Sequence, residues 1–244
     1  MIRLERVIKA YGRPILRSVT LHVPRGCLFG LVGPAASGKT SLLKVITGLV
    51  RADSGRVVVL DRNVAAMDDV DLARFRQQIG MQFQNNALFD FLTVGENVAF
   101  PLRRLERPPE SEVERRVAER LARVSLSGFE PRLPAGLSGG QRRRVGVARA
   151  TITGAPIVIY DEPAAGLDPV NSQKIFNLLR EEQRANGTTV IMVSSDLDRL
   201  FTVTDRVGMM YRGRLIFEGT TAAALESPDP YVHQFMHGLP DGPL

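Results

Sequence analysis

The sequence predicts an α/β domain built on a mainly parallel sheet. Three observations carry that expectation. Short apolar runs of strand character alternate with helical patterns along most of the chain. One such run, residues 27–33, ends in glycine and opens into a helical spacing. Another, Ile157–Tyr160, ends in two adjacent carboxylates, Asp161 and Glu162.

Taken in order, residues 2–8 and 18–23 have β character, and residues 27–33, Cys-Leu-Phe-Gly-Leu-Val-Gly, read as a buried strand feeding a turn. Leu42, Leu43, Ile46 and Leu49 repeat at helical spacing over 38–49. Residues 57–60 and 79–83 are candidate strands. Val113, Val117, Leu121 and Val124 fall on one face of a Glu/Arg-rich helix over 110–125. A helix follows over 140–152, then a strand at 157–160, a helix at 169–185 and a strand at 188–193. A short helix at 196–202 and strands at 206–210 and 214–218 close the pattern. Residues 86–150 are expected to be helix without strands, a helical insertion in the α/β core. No internal repeat or low-complexity segment is evident.

Composition narrows the class. The 244 residues suit one large domain or two small ones. With 44% hydrophobic and 24% charged residues, disordered, collagen-like and coiled-coil chains are excluded. The balance of 32 − 26 = +6 allows a polyanionic partner: nucleic acid, an anionic membrane surface or a nucleotide. The basic residues are dispersed, Arg142–Arg144 being their longest run, which argues against a nucleic-acid stripe. Cys27 is the single cysteine, and His22, His233 and His237 are scattered, so no Cys/His metal site is expected and a reducing compartment fits best. No stretch approaches the roughly 18 consecutive apolar residues of a membrane span. The charged, strand-like start is not expected to be a signal peptide.

Gly33-Pro34-Ala35-Ala36-Ser37-Gly38-Lys39-Thr40 follows an apolar strand and opens a helix. The pattern is that of a phosphate-binding loop: glycines let successive N–H groups turn toward phosphate oxygens, and the helix start adds its positive dipole end. Lys39 would reach the β- and γ-phosphates and the Thr40 hydroxyl would hold Mg²⁺. Asp161 can bind Mg²⁺ directly or through water, and Glu162 can polarise a water for attack on the γ-phosphate. Taken alone, acids at a strand end are more often solvated turn or cap residues; beside a phosphate loop the catalytic reading leads. Leu137-Ser138-Gly139-Gly140-Gln141 sits at a helix start, with Ser138 a natural N-cap. It reads as an ordinary capped helix or as a second anion site.

With these motifs in order, nearly the whole chain resembles the nucleotide-binding subunit of ABC transporters. The resemblance identifies Gly33–Thr40 with the Walker A loop, extended to Ser41, and Ile157–Glu162 with the Walker B strand and its catalytic Glu162. Leu137–Gln141 matches the signature motif, with Ser138, Gly140 and Gln141 on ATP. Gln84 matches the Q-loop glutamine on the metal, Asp168 in Ala165–Pro169 the D-loop, and Tyr11 the aromatic that stacks on adenine. The fold implied over 1–244 is a P-loop NTPase core with an antiparallel β edge and a helical subdomain at 86–150, ending in a tail at 228–244. ATP and Mg²⁺ are the implied ligands. The resemblance further implies a head-to-tail homodimer that traps two ATP and drives a separate integral membrane permease from the cytoplasmic face of the inner membrane, without nucleic acid.

Residues 83–89, 96–102 and the tail 227–243 are similar to those of Mla/MCE-type lipid transporters. That implies phospholipid or another hydrophobic lipid as cargo and an MCE-type lipid-binding protein as partner. An importer ATPase for a polar solute is the first rival reading. Leu88, Phe89, Phe91 and Leu92 form an apolar cluster after Gln84, fit either for the core or for a groove that receives a permease helix. One position departs from the family: Ser195, in Ser194-Ser195-Asp196, stands where the family carries a His near the γ-phosphate. The departure predicts slow hydrolysis with nucleotide binding intact, and at its extreme a nucleotide-gated clamp.

Overall fold

The structure is a computed structural model, and it describes residues 1–84 and 87–244. Asn85 and Asn86, which fall inside the lipid-transporter resemblance and at the start of the expected helical subdomain, lie outside the described residues. The chain divides into two compact units: Met1–Arg76 with Thr189–Leu244, and Gln77–Thr188.

The first unit begins with β1 (Ile2–Tyr11) and β2 (Arg13–Val23), a hairpin turned at Gly12. Then come β3 (Leu28–Val32), α1 (Lys39–Ile46), β4 (Ser54–Val59), β5 (Arg62–Asn63) and α2 (Asp69–Arg76). The second unit holds β6 (Ile79–Gln82), α3 (Val94–Leu105), α4 (Glu110–Arg123), α5 (Gly139–Thr151), β7 (Ile157–Asp161) and α6 (Pro169–Asn186). The chain returns to the first unit with β8 (Thr189–Val193), α7 (Leu197–Val203), β9 (Arg206–Tyr211), β10 (Arg214–Thr220), α8 (Thr221–Leu225) and α9 (Pro230–His237).

In the first unit β1 pairs antiparallel with both β2 and β4, and β5 extends β4. A second set is parallel: β3 lies between β8 and β9, with Leu28 opposite Val190 and Gly30 opposite Val207, and β10 closes it antiparallel to β9. All five residues of β3 and of β8 are buried, as strands covered on both faces require. In the second unit β6 and β7 are parallel, Ile79 opposite Ile157. No strand interrupts the described residues between β6 and β7, which carry α3, α4 and α5. The α/β class, the antiparallel sheet and the parallel core agree with the sequence expectation.

The differences have local causes. The helix expected to reach Leu49 stops at Ile46: Gly48 turns left-handed with φ +66°, and Leu49 emerges on the surface. The strand expected to include Leu60 ends at Val59, because Leu60 and Asp61 (φ +51° and +62°) make a two-residue hairpin turn into β5. That turn needs two positive φ angles and is ordinarily written with Asn or Gly, so Leu-Asp hides it. The next such turn, Arg212-Gly213, is easier to read. Residues 69–76 and 230–237 form helices where none was expected, although Asp229 followed by Pro230 is a helix-start signature.

Candidate functional site

In the first unit the loop 33–38 joins β3 to α1. Gly33 has φ +136°, and a Cβ there would lie 2.0 Å from the Met210 carbonyl oxygen, so only glycine fits. Gly38 caps α1 at φ +107° with no side chain bonding the first-turn N–H groups. Those donors at a helix start are what a phosphate needs. Lys39 folds back over the loop: its Nζ donates to the Gly33 carbonyl at 2.7 Å and the Pro34 carbonyl at 2.8 Å. The ammonium is thus held against the loop's own carbonyls. Ser37 is buried and Thr40 exposed at the head of α1. Pro34, Ala35, Ala36 and Ser41 complete the expected loop, with Ala36 left-handed at φ +58°.

Tyr11 ends β1 and is 54% exposed. Lys9 Nζ lies 5.3 Å from the ring centroid and is held by Asp53 at 2.6 Å. That ion pair, invisible in sequence, fixes the cation beside the ring. The Lys9 hydrogen bond, with a second from the Ala10 N–H, keeps the Asp53 carboxyl below the usual range.

Ser195 is exposed just beyond β8. It lines an open cleft of about 610 Å³ with Asp198, Phe201, Met236 and His237. His237, distant along the chain, therefore shares a cleft with Ser195, its Nε2 2.9 Å from the Leu225 carbonyl oxygen.

In the second unit Asp161 is the last residue of β7 and is half-buried. Glu162 follows at φ +51°, a left-handed conformation that turns the chain sharply out of the strand. Ser138 caps α5, as expected, and does so in a reciprocal box: the Gln141 N–H donates to Ser138 Oγ (3.2 Å) and the Ser138 N–H to Gln141 Oε1 (2.9 Å). A Cβ at Gly139 or Gly140 would meet only Leu167 Cδ2, at 3.9 and 3.7 Å, which is ordinary contact. Nothing in the described chain requires glycine at either position. Asp168 caps α6, accepting from the Val170 and Asn171 N–H groups at 3.0 Å each. Those bonds, the Asn171 backbone first, hold its carboxyl below the usual range.

Two residues missed by the sequence reading organise this unit. Arg143 of α5 donates to the carbonyls of Gln84, Glu162 and Ala165. Asn97 of α3 is fully buried and ties the segment after Gln84: its Nδ2 donates to the carbonyls of Phe89, Leu92 and Thr93, each at 3.0 Å, and its Oδ1 accepts from the Phe89 N–H. The apolar cluster there is divided. Leu88, Phe89 and Leu92 are half-buried, whereas Phe91 is 80% exposed. Phe89 packs on Phe100 with ring centroids 4.8 Å apart.

The sequence profile of the ABC transporter family matches residues 16–165, which span the phosphate loop, the capped start of α5 and the acid-tipped strand. The chain belongs to the ABC transporter family. It is 38% identical over 231 residues to the methionine import ATP-binding protein MetN of Caulobacter vibrioides, covering 93% of this chain and 69% of that protein. It is 34% identical over its full 244 residues to the probable ribonucleotide transport ATP-binding protein mkl of Mycobacterium tuberculosis, covering 68% of that protein. Among solved structures, the ATP-binding cassette MJ0796 in a dimeric post-hydrolysis state with ADP and Pi superposes with a TM-score of 0.84 at 31% identity, over 91% of this chain and 99% of that one. The cassette cbiO1 of Clostridium perfringens gives 0.86 at 27% identity, over 93% and 90%. As an ABC transporter ATP-binding subunit, this chain binds ATP and hydrolyses it.

Among the described residues no group of three or more His, Cys, Asp and Glu could hold a metal by itself. Magnesium in nucleotide sites takes one or two protein oxygens plus phosphate and water; each unit offers an oxygen of that kind, the exposed Thr40 hydroxyl in the first and the half-buried Asp161 carboxylate in the second.

Proposed function

We propose that this chain is the motor subunit of a membrane transporter. Lys39 and the N–H groups at the start of α1 hold the ATP phosphates; Thr40, Asp161 and Gln84 hold Mg²⁺, which would neutralise charge developing on the phosphates. Glu162 serves as general base and Tyr11 stacks on the adenine. The preformed curl of 33–38 around the Lys39 ammonium is the observation that carries this reading. Lys39→Ala removes a charge-assisted hydrogen bond of about 1.5–3 kcal/mol, so ATP affinity measured by calorimetry falls at least about tenfold. Unchanged affinity would falsify the assignment.

Two copies work head to tail, Ser138, Gly140 and Gln141 of each closing on the nucleotide of the other. The absence of any steric need for Gly139 and Gly140 within the chain supports this: a partner's nucleotide approaching the helix start would supply the need. Asp168 is assigned as the D-loop residue. Among the described residues no helix is long and apolar enough to cross a membrane, and the subunit docks on a separate permease at the cytoplasmic face of the inner membrane, with Phe91 and its neighbours in the contact. The proposed domain plan is one ATP-binding domain over 1–244, with a helical subdomain at 86–150 and a tail at 228–244.

For cargo we favour phospholipid or another hydrophobic lipid, with an MCE-type lipid-binding partner, on the resemblance of 83–89, 96–102 and 227–243. The names of the similar proteins, methionine import and ribonucleotide transport, favour a polar solute instead. Co-purification of the permease, then turnover in vesicles loaded with either cargo class, separates the two.

Ser195 makes this a slow ATPase. Serine is shorter than histidine and carries no positive charge, and removing one preorganised donor from the transition state costs about 10²–10³ in rate. Ser195→His raises turnover at saturating Mg-ATP by about tenfold or more. A parent that already turns over at about 1 s⁻¹, with no gain on substitution, sinks the idea.

A further inference from the structure

We propose that Arg143 is a positioning residue for hydrolysis, fixing the backbone of Glu162 and Gln84 to the start of α5; this rests on the site assignment above. Its guanidinium reaches three carbonyls on two loops, one after β6 and the other between β7 and α6. Nη1 donates to the Gln84 carbonyl at 2.8 Å and to the Glu162 carbonyl at 3.2 Å. Nε donates to the Ala165 carbonyl at 3.0 Å, and Nη2 bonds the same oxygen. Six residues along the same helix, Arg149 Nη1 donates to the Ala87 carbonyl at 2.7 Å. Helix α5 therefore also holds the backbone at Ala87.

The contact to Glu162 is the consequential one. Its backbone is left-handed at φ +51°, a conformation a non-glycine residue keeps only when its surroundings impose it. The Arg143 bond fixes the plane of the peptide that leaves Glu162, and so the direction in which the carboxylate projects. Because the same fork also holds Gln84 and Ala165, a shift of either loop is felt by the other. Arg143 bonds carbonyls and not the reacting groups, so it acts through Glu162 and Gln84. Burial lowers the pKa of this guanidinium, opposed by the nearby Glu162 carboxylate; an arginine remains charged at neutral pH throughout. Lysine cannot replace it in kind, since a single ammonium lacks the planar fork that reaches three acceptors at once.

The test uses the full chain with Arg143→Gln and Arg143→Lys, read by turnover across a Mg-ATP series, ATP affinity and thermal midpoint, with Glu162→Gln in parallel. Misplacing a catalytic group by about 1 Å costs about 10²-fold. The expected result for Arg143→Gln is a kcat loss of about 10–100-fold, with KM and ATP affinity within about twofold of the parent. Arg143→Lys is expected to recover part of kcat. A kcat within about twofold of the parent in both variants overturns the proposal. So does a kcat loss that travels with ATP affinity and thermal midpoint, which marks Arg143 as a structural prop. If Arg143→Gln does not fold, Arg143→Lys decides by the same kcat-against-KM criterion. Parent-like turnover in Glu162→Gln would instead break the assignment of the base, whatever Arg143 does.

Discussion

The starts of α1 and α5 look alike in sequence, each a glycine-rich run opening a helix, yet they are built on opposite plans. At α1 the glycines are demanded from within. Gly33 and Gly38 are left-handed, a Cβ at Gly33 would collide with backbone, and no side chain caps the helix. At α5 the helix start is closed by the Ser138–Gln141 box, and its two glycines answer to nothing in the chain. The first is a turn whose glycines the fold itself demands. The second is a finished cap whose two glycines meet only Leu167, at ordinary contact distance. A glycine's meaning is thus read from what its missing Cβ would strike.

Gly33→Ala attacks the comparison at its strongest point. The methyl would sit 2.0 Å from the Met210 oxygen, so the loop must move, at a strain of about 1–3 kcal/mol. The expected result is a lowered thermal midpoint together with ATP affinity reduced by at least about tenfold, because a displaced loop forfeits at least one charge-assisted hydrogen bond to phosphate. Parent-like stability would mean that the close approach to Met210 is not held in solution.

How far the sequence carried the reading follows the same division. Motifs that act through their own backbone and local spacing were legible: the strand–loop–helix at Gly33–Thr40, the acid-tipped strand at Asp161 and the N-cap Ser138. So was the alternation that makes the sheet parallel. What escaped depends on partners far along the chain. The grip of Arg143 on Gln84, Glu162 and Ala165 spans separations of 59, 19 and 22 residues, and an arginine within Arg142–Arg144 looks like one more exposed charge. Lys9 and Asp53, 44 residues apart, were equally silent. Asn97 could have been suspected, since a buried amide in an apolar stretch must satisfy its hydrogen bonds. The left-handed Glu162 has no sequence signature, because its conformation is imposed by its neighbours.

Gly140→Ala tests the other half of the comparison. A Cβ there meets only Leu167 at 3.7 Å, and alanine is the better helix former by up to about 1 kcal/mol. Stability is expected to hold or rise slightly, while turnover falls about tenfold or more, if the helix start must admit a partner's nucleotide closely. Calorimetry and steady-state kinetics on the same preparation decide it. A variant both more stable and fully active would show that the glycine is incidental and α5 an ordinary capped helix.

The smallest effect belongs to a third helix start, α6, where Asp168 is both the cap and the D-loop candidate. Its carboxylate accepts two backbone N–H groups and the Asn171 side-chain amide. These bonds favour the charged form and lower its pKa in the folded chain. The sign follows from linkage. A carboxylate whose folded pKa lies below its unfolded value of about 3.9 contributes stability above that value, and the contribution is lost as pH falls through the folded pKa. Because the group is exposed, the effect is small and further screened by salt. Asp168→Ala is therefore expected to lower the thermal midpoint slightly at neutral pH, with the gap to the parent closing as the solution is acidified below about pH 4. Asp168→Asn keeps a capping oxygen but cannot ionise, so its midpoint should sit between the two at neutral pH and its gap to the parent should also shrink in acid. If Asp168→Asn restores the midpoint but not turnover, the carboxylate does more than cap the helix. If it restores both, α6 simply begins, as α5 does, with a side chain that closes its own N-terminus.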